Sequence, residues 1–106
     1  MTTATEAAAG VRGGLLVHGD WPATEATFDV TDPATGTVIA RVADATVEQG
    51  LAALDSIVAA APGWAATTLR DRAELLRRAF DAVMARRAEF AHLISAEMGK
   101  PLAEAR

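Results

Sequence analysis

The sequence has no cysteine among its 106 residues. That excludes a disulfide scaffold, a thiolate zinc site and a cysteine nucleophile. It has no asparagine, and a single lysine, Lys100, stands against nine arginines. No run of about 18 apolar residues occurs, so no membrane-spanning helix is expected. Large apolar side chains are scarce as well. Apolar types make up 51% of 106 residues, or 54, but 26 of these are alanine and only 28 are larger. The net charge of −4 and the pI near 5.0 suit nucleic acid poorly as a general partner. The N-terminus offers neither the basic start nor the apolar centre of a secretory signal. Glu6 and the lone Arg12 also disfavour a mitochondrial presequence. Residues 1–12 are therefore expected to be a disordered tail and the protein to be cytoplasmic.

What is present divides into a β part and a helical part. Leu15-Leu16-Val17-His18 is a short apolar run before the turn pair Gly19-Asp20, and Trp21 and Pro22 follow. Phe28, Val30 and Thr31 alternate as in a strand. Asp32-Pro33-Ala34-Thr35-Gly36 reads as a turn: Pro33 presets φ and Gly36 tolerates the closing geometry. Thr37 to Val42 is β-branched and reads as the next strand. These segments predict antiparallel hairpins.

From Thr46 onward the pattern is helical. Thr46 and Gln49 fit a capping box. Val47, Leu51, Leu54 and Val58 then form one apolar face, and Pro62-Gly63 is expected to stop the helix. Trp64 is placed in the connection, anchored in a core. Thr67 or Thr68 caps a second helix whose inner face is Leu69, Ala73, Leu76, Phe80 and Val83. Its outer face is charged, with Glu74 and Arg78 as an i,i+4 pair. A third helix covers about Ala88–Met98, with Phe90, Leu93 and Ile94 inward and Gly99 as its C′ residue. Pro101 opens a fourth. Six residues are too few for a stable isolated helix, so the chain is expected to be truncated at Arg106.

No constellation of residues carries chemistry on its own. Gly10, Gly13 and Gly14 follow no strand and open no helix, which fails the dinucleotide fingerprint. Gly99-Lys100 lacks the rest of a phosphate loop, because Ile94 stands where a glycine is needed and Pro101 where a hydroxyl is needed. Lys100 instead complements a helix C-terminus. His18 and His92 lack the spacing of metal ligands. Six arginines between Arg70 and Arg87 are interrupted by Asp71, Glu74 and Asp81, which reads as a solvated helix face or docking surface. Asp29, Asp32 and Glu97 show no acid–base spacing.

The order of segments says more than any one of them. Phe28-Asp29-Val30-Thr31-Asp32-Pro33-Ala34-Thr35-Gly36 precedes Val38-Ile39-Ala40. An alanine-rich helix, Trp64, Arg70-Asp71-Arg72 and Leu75-Leu76-Arg77-Arg78 follow. The chain closes on Glu97-Met98-Gly99-Lys100-Pro101-Leu102-Ala103-Glu104-Ala105-Arg106. From residue 15 to residue 106 this resembles the N-terminal part of the NAD(P)-dependent aldehyde dehydrogenase superfamily. The closing run is most similar to the succinate-semialdehyde dehydrogenase branch. Asp32 replaces the family's usual asparagine before the Pro-x-x-Gly turn, and both cap such a turn through a side-chain oxygen.

The resemblance implies an α+β fragment of an α/β fold, with residues 13–106 forming part of the cofactor-binding domain. It implies an oxidoreductase that converts an aldehyde to a carboxylic acid with NAD or NADP, and a homo-oligomer when complete. In the family a cysteine attacks the aldehyde and an asparagine helps to hold the oxyanion. Neither residue type occurs here, so the 106-residue chain is expected to be inactive by itself, with no catalytic or cofactor-binding residue of its own. The one family site that carries over in part is for a monovalent cation. It would use the backbone carbonyls of Val30 and Thr31 and the carboxylate of Glu97. Oxygen ligands suit a hard cation, although the family often has aspartate at the position of Glu97. The alternative reading is a non-catalytic module that docks on intact dehydrogenase subunits through its apolar helix faces. Neither reading calls for a nucleic acid or a membrane.

Overall fold

The computed structural model describes residues 2–106. Two short strands, β1 (Ala26–Thr31) and β2 (Val38–Asp44), form one antiparallel hairpin. The β-branched and aromatic residues of both strands favour this pairing. Phe28 lies opposite Val42, and Asp29 opposite Arg41, whose side chains form a 2.9 Å ion pair across the strands. The register shifts between Val30 and Thr31, where the hairpin enters its turn. The apolar run Leu15–His18 contributes only a single bridge, between Val17 and Asp20. His18 and Gly19 between them both have positive φ, 55° and 83°. Two such residues at the centre of a turn close a tight two-residue hairpin.

Five helices complete the chain among the described residues. They are α1 (Ala4–Ala8), α2 (Val47–Ala65), α3 (Leu69–Ala85), α4 (Arg87–Met98) and α5 (Leu102–Ala105). Thr46 and Gln49 form the expected reciprocal capping box at the start of α2, and Thr68 caps α3 through the Asp71 N–H. Gly99 ends α4 in the left-handed region at φ 71°. Pro101 is extended at ψ 134° and precedes α5 rather than forming its first turn.

Two boundaries differ from expectation. The first twelve residues are not all irregular: Thr3 and Glu6 form a second capping box, and α1 follows it. Ala8 of α1 is buried beside Ile39 of β2 and Ala96 of α4. Docking supplies the stabilisation that so short a helix lacks alone. In α2, the helix runs past Pro62 to Ala65. Proline gives up one hydrogen bond and resists the preceding turn. It is tolerated here in the last turn of the helix, where the Pro62 carbonyl still accepts the Ala66 N–H at 3.1 Å. Trp64 therefore lies within the last turn of α2 and not in a loop.

The largest difference concerns the core. Among the described residues the buried apolar ones are Ala8, Ile39, Ala91 and Ala96, and no large side chain is fully enclosed. The face of α2 expected to be inward is exposed, from 54% at Leu54 to 75% at Val47. The face of α3 is equally open at Leu69, Leu76, Phe80 and Val83, and Trp64 is 45% exposed rather than held in a core. The radius of gyration is 17.0 Å, against about 13 Å for a compact domain of this size. Helical periodicity marks the apolar side of each helix, but the expected burial is not found: nothing within the described residues covers these faces. Among the described residues no helix is long and apolar enough to cross a membrane.

Candidate functional site

The turn after β1 meets the end of α4 at a junction built from side-chain-to-backbone hydrogen bonds. Asp32 is buried. Its Oδ1 accepts the Ala34 N–H at 2.9 Å, and its Oδ2 accepts the Thr35 hydroxyl at 2.9 Å. The Asp32 carbonyl accepts the Gly36 N–H at 2.8 Å, and Gly36 closes the turn at φ 71°. A buried carboxylate with both oxygens satisfied holds a turn rigidly. On the other side, the Gly99 N–H bonds to the Ser95 carbonyl at 3.0 Å. The Ser95 hydroxyl donates to the Lys100 carbonyl at 2.6 Å. The two limbs touch where a Cβ on Gly99 would stand 3.1 Å from Pro33 Cγ.

This contact brings the segment of Val30 and Thr31 near the segment of Glu97. Val30 is half-buried at the end of β1, and Thr31 and Glu97 are exposed. Glu97 makes no ion pair among the described residues. Two peptide oxygens and one unpaired carboxylate are a hard-oxygen donor set suited in type to a monovalent cation. No group of three or more His, Cys, Asp or Glu side chains that could hold a metal ion occurs among the described residues.

The other residues weighed in the sequence fall into structural roles. His18 Nδ1 lies 2.8 Å from Ser56 Oγ, fastening the first turn to α2. His92 is half-buried beside α1, in a groove of about 260 Å³ that also touches Asp32 and Ser95. The arginine-rich stretch is ion-paired along its helices: Arg70 with Glu74, Arg77 with Asp81, and Arg86 with Glu89. Glu74 thus pairs toward the N-terminus with Arg70, not with Arg78 as expected. These pairs are exposed and contribute at most about 1 kcal/mol each. Glu6 and Glu48 have carboxyl pKa values held below the ordinary value, Glu6 by hydrogen bonds from the Thr3 backbone and then its hydroxyl. For Glu48 the cause is its own backbone N–H and then the Thr46 hydroxyl.

The glycine cluster does not fit a dinucleotide. A Cβ on Gly13 would collide with the Arg41 carbonyl oxygen, and one on Gly14 would lie 3.0 Å from the Trp21 ring. The space that glycine leaves open is filled by the protein itself, with no cradle for a pyrophosphate. The Gly13 carbonyl accepts the Ala43 N–H at 2.7 Å, so this segment runs along β2. Sequence reasoning missed the docking of α1, although Thr3-Ala4-Thr5-Glu6 carries the capping-box signature. It also missed Arg12, whose guanidinium lies 4.0 Å from the Trp21 ring centre.

Comparison with known proteins gives this scaffold its context. The succinate-semialdehyde dehydrogenase of Paenarthrobacter nicotinovorans is 56% identical over 69 residues, covering 65% of this chain and 15% of that protein. The mitochondrial succinate-semialdehyde dehydrogenase of Rattus norvegicus is 40% identical over 95 residues, covering 90% of this chain and 18% of that protein. The crystal structure of succinate-semialdehyde dehydrogenase from Burkholderia pseudomallei superposes with a TM-score of 0.84 at 40% identity. That match covers 89% of this chain and 20% of the other. The chain thus spans a fifth or less of the length of these relatives and matches their N-terminal part. The profile of the Aldehyde dehydrogenase family matches residues 21–106, and the chain belongs to that family.

Proposed function

We propose that these 106 residues are the N-terminal scaffold of an aldehyde-oxidising enzyme of the succinate-semialdehyde dehydrogenase kind, and that they do no chemistry alone. The open apolar faces of α2 and α3 carry this reading. Burying a large apolar side chain contributes about 1.5–3 kcal/mol, and here a dozen such side chains lie exposed along two helices. The rest of the enzyme is their natural cover. In this reading the nicotinamide cofactor, NAD or NADP, and the nucleophile belong to that remainder. The chain's own part is to hold the turn at Asp32 and the end of α4 in place. The carbonyls of Val30 and Thr31, with the Glu97 carboxylate, contribute part of a monovalent-cation site that the remainder completes. The assembled enzyme would be a homo-oligomer.

Complementation tests the reading. The Burkholderia pseudomallei relative, expressed without the matched segment, is mixed with this chain during refolding. Aldehyde-dependent formation of reduced nicotinamide should appear with both pieces present and with neither alone. Activity of the 106-residue chain alone would refute the proposal. The rival reading is a docking module for intact subunits. It predicts instead that this chain binds the uncut relative as tightly as the shortened one.

A further inference from the structure

A second groove, away from the junction at Asp32, has the character of a ligand site. It has a volume of about 370 Å³ and lies between the segment after α1 and the start of α4. That volume is within the range of small-molecule sites. Its apolar walls include Trp21, Phe90 and Leu93. Its charged groups are Arg12, Arg86 and Glu89. Arg12 stacks 4.0 Å from the Trp21 ring centre, and Arg86 lies 5.6 Å from that of Phe90. A guanidinium stacked on a ring keeps its in-plane N–H donors free, and these match a carboxylate in bidentate fashion. Arg86 shares its charge with Glu89 at 2.9 Å, whereas Arg12 has no ion pair among the described residues. Two guanidiniums and one carboxylate leave one positive charge uncompensated. Aromatic walls favour a flat ring packed against them.

We infer that this groove binds a small aromatic monocarboxylate, with its carboxylate on the edge of Arg12 and its ring against Trp21 and Phe90. Neither the nicotinamide cofactor nor the aldehyde is involved. Every residue the inference uses lies within the 106, and it requires the groove to stay uncovered when the rest of the enzyme packs on the chain.

The chain has two tryptophans, so labelling with 5-fluorotryptophan gives two ¹⁹F signals, assigned by Trp21→Phe. Titration with benzoate should shift the Trp21 signal saturably and leave that of Trp64 on α2 unmoved. Benzyl alcohol, a neutral analogue of similar shape, should bind at least about tenfold more weakly, since the charge-assisted bonds are lost. Arg12→Gln should weaken benzoate binding by a similar factor. Arg12→Lys should weaken it less but measurably, because lysine keeps the charge and loses the bidentate edge. The circular dichroism of both variants should match that of the parent. A linear, unsaturated shift would overturn the inference. Equal binding of benzyl alcohol, or unchanged affinity in both Arg12 variants, would do the same. Tighter binding of phenyl phosphate than of benzoate would overturn the assignment to carboxylates.

Discussion

Gly36 and Gly99 form a matched pair that isolates one contact. Both have φ of 71°. A Cβ on Gly36 would meet nothing within 4 Å, whereas one on Gly99 would stand 3.1 Å from Pro33 Cγ. Alanine in the left-handed region costs about 1–2 kcal/mol. That cost, and the smaller gain from stiffening the unfolded chain, are common to both sites. Gly36→Ala should therefore destabilise by about 1–2 kcal/mol. Gly99→Ala must in addition push Pro33 aside, at an overpacking cost of about 1–3 kcal/mol. Pro33 sits in a turn fixed by the Asp32 carboxylate, so it cannot yield freely. The assay is urea unfolding followed by circular dichroism, with Pro33→Ala closing a double-mutant cycle. The excess cost of Gly99→Ala should vanish in the Pro33→Ala background. If both glycine variants lose the same stability, the turn and the end of α4 are not in contact, and the geometry of the junction is wrong.

Three further outcomes follow from the same structure. Asp32→Ala strands the Ala34 N–H and the Thr35 hydroxyl and should cost about 1–3 kcal/mol; Asp32→Asn keeps an acceptor oxygen and should cost less than about 1 kcal/mol, both read by the same urea titration. Glu6 has its carboxyl pKa lowered from 4.5 by Thr3, so its contribution to α1 is complete above that value and disappears as pH falls through the lowered one. Acidification should then release α1, moving the NMR signals of Ala7 and Ala8, and Glu6→Gln should abolish that pH dependence. Leu51→Gln and Leu76→Gln should change the stability of the isolated chain by no more than about 0.5 kcal/mol and reduce its binding of a hydrophobic dye. In a chimera that carries this chain as the first fifth of the Burkholderia pseudomallei relative, each should cost about 2–5 kcal/mol, as measured by thermal unfolding.

Local signals in the sequence located most of the elements. The capping boxes, the Asp32–Gly36 turn and the left-handed Gly99 are short-range features, and each depends on residues within about five positions. Burial is not short-range. The stripe Val47, Leu51, Leu54, Val58 shows which side of α2 is apolar, but what lies against it depends on chain far away in sequence. The same limit hid the docking of α1. Thr3 and Glu6 announce a helix start, yet its value depends on Ile39 and Ala96 being near. Pro62 misled for the opposite reason, since a proline close to a helix end loses one bond without ending the helix. The candidate site was legible only through the resemblance. Carbonyls of Val30 and Thr31 have no signature in side-chain chemistry, and only the contact between Gly99 and Pro33 shows their segment near that of Glu97.

As proposed, the chain is scaffold, competent only when the rest of a dehydrogenase covers its helices. The most direct measurement is succinate-semialdehyde-dependent reduction of NAD(P) by that chimera, beside the parent enzyme and the isolated chain. The chimera should turn over within about tenfold of the parent, a difference of about 1.4 kcal/mol in barrier, and the isolated chain not at all. A folded chimera without activity, or turnover by the 106 residues alone, would contradict it.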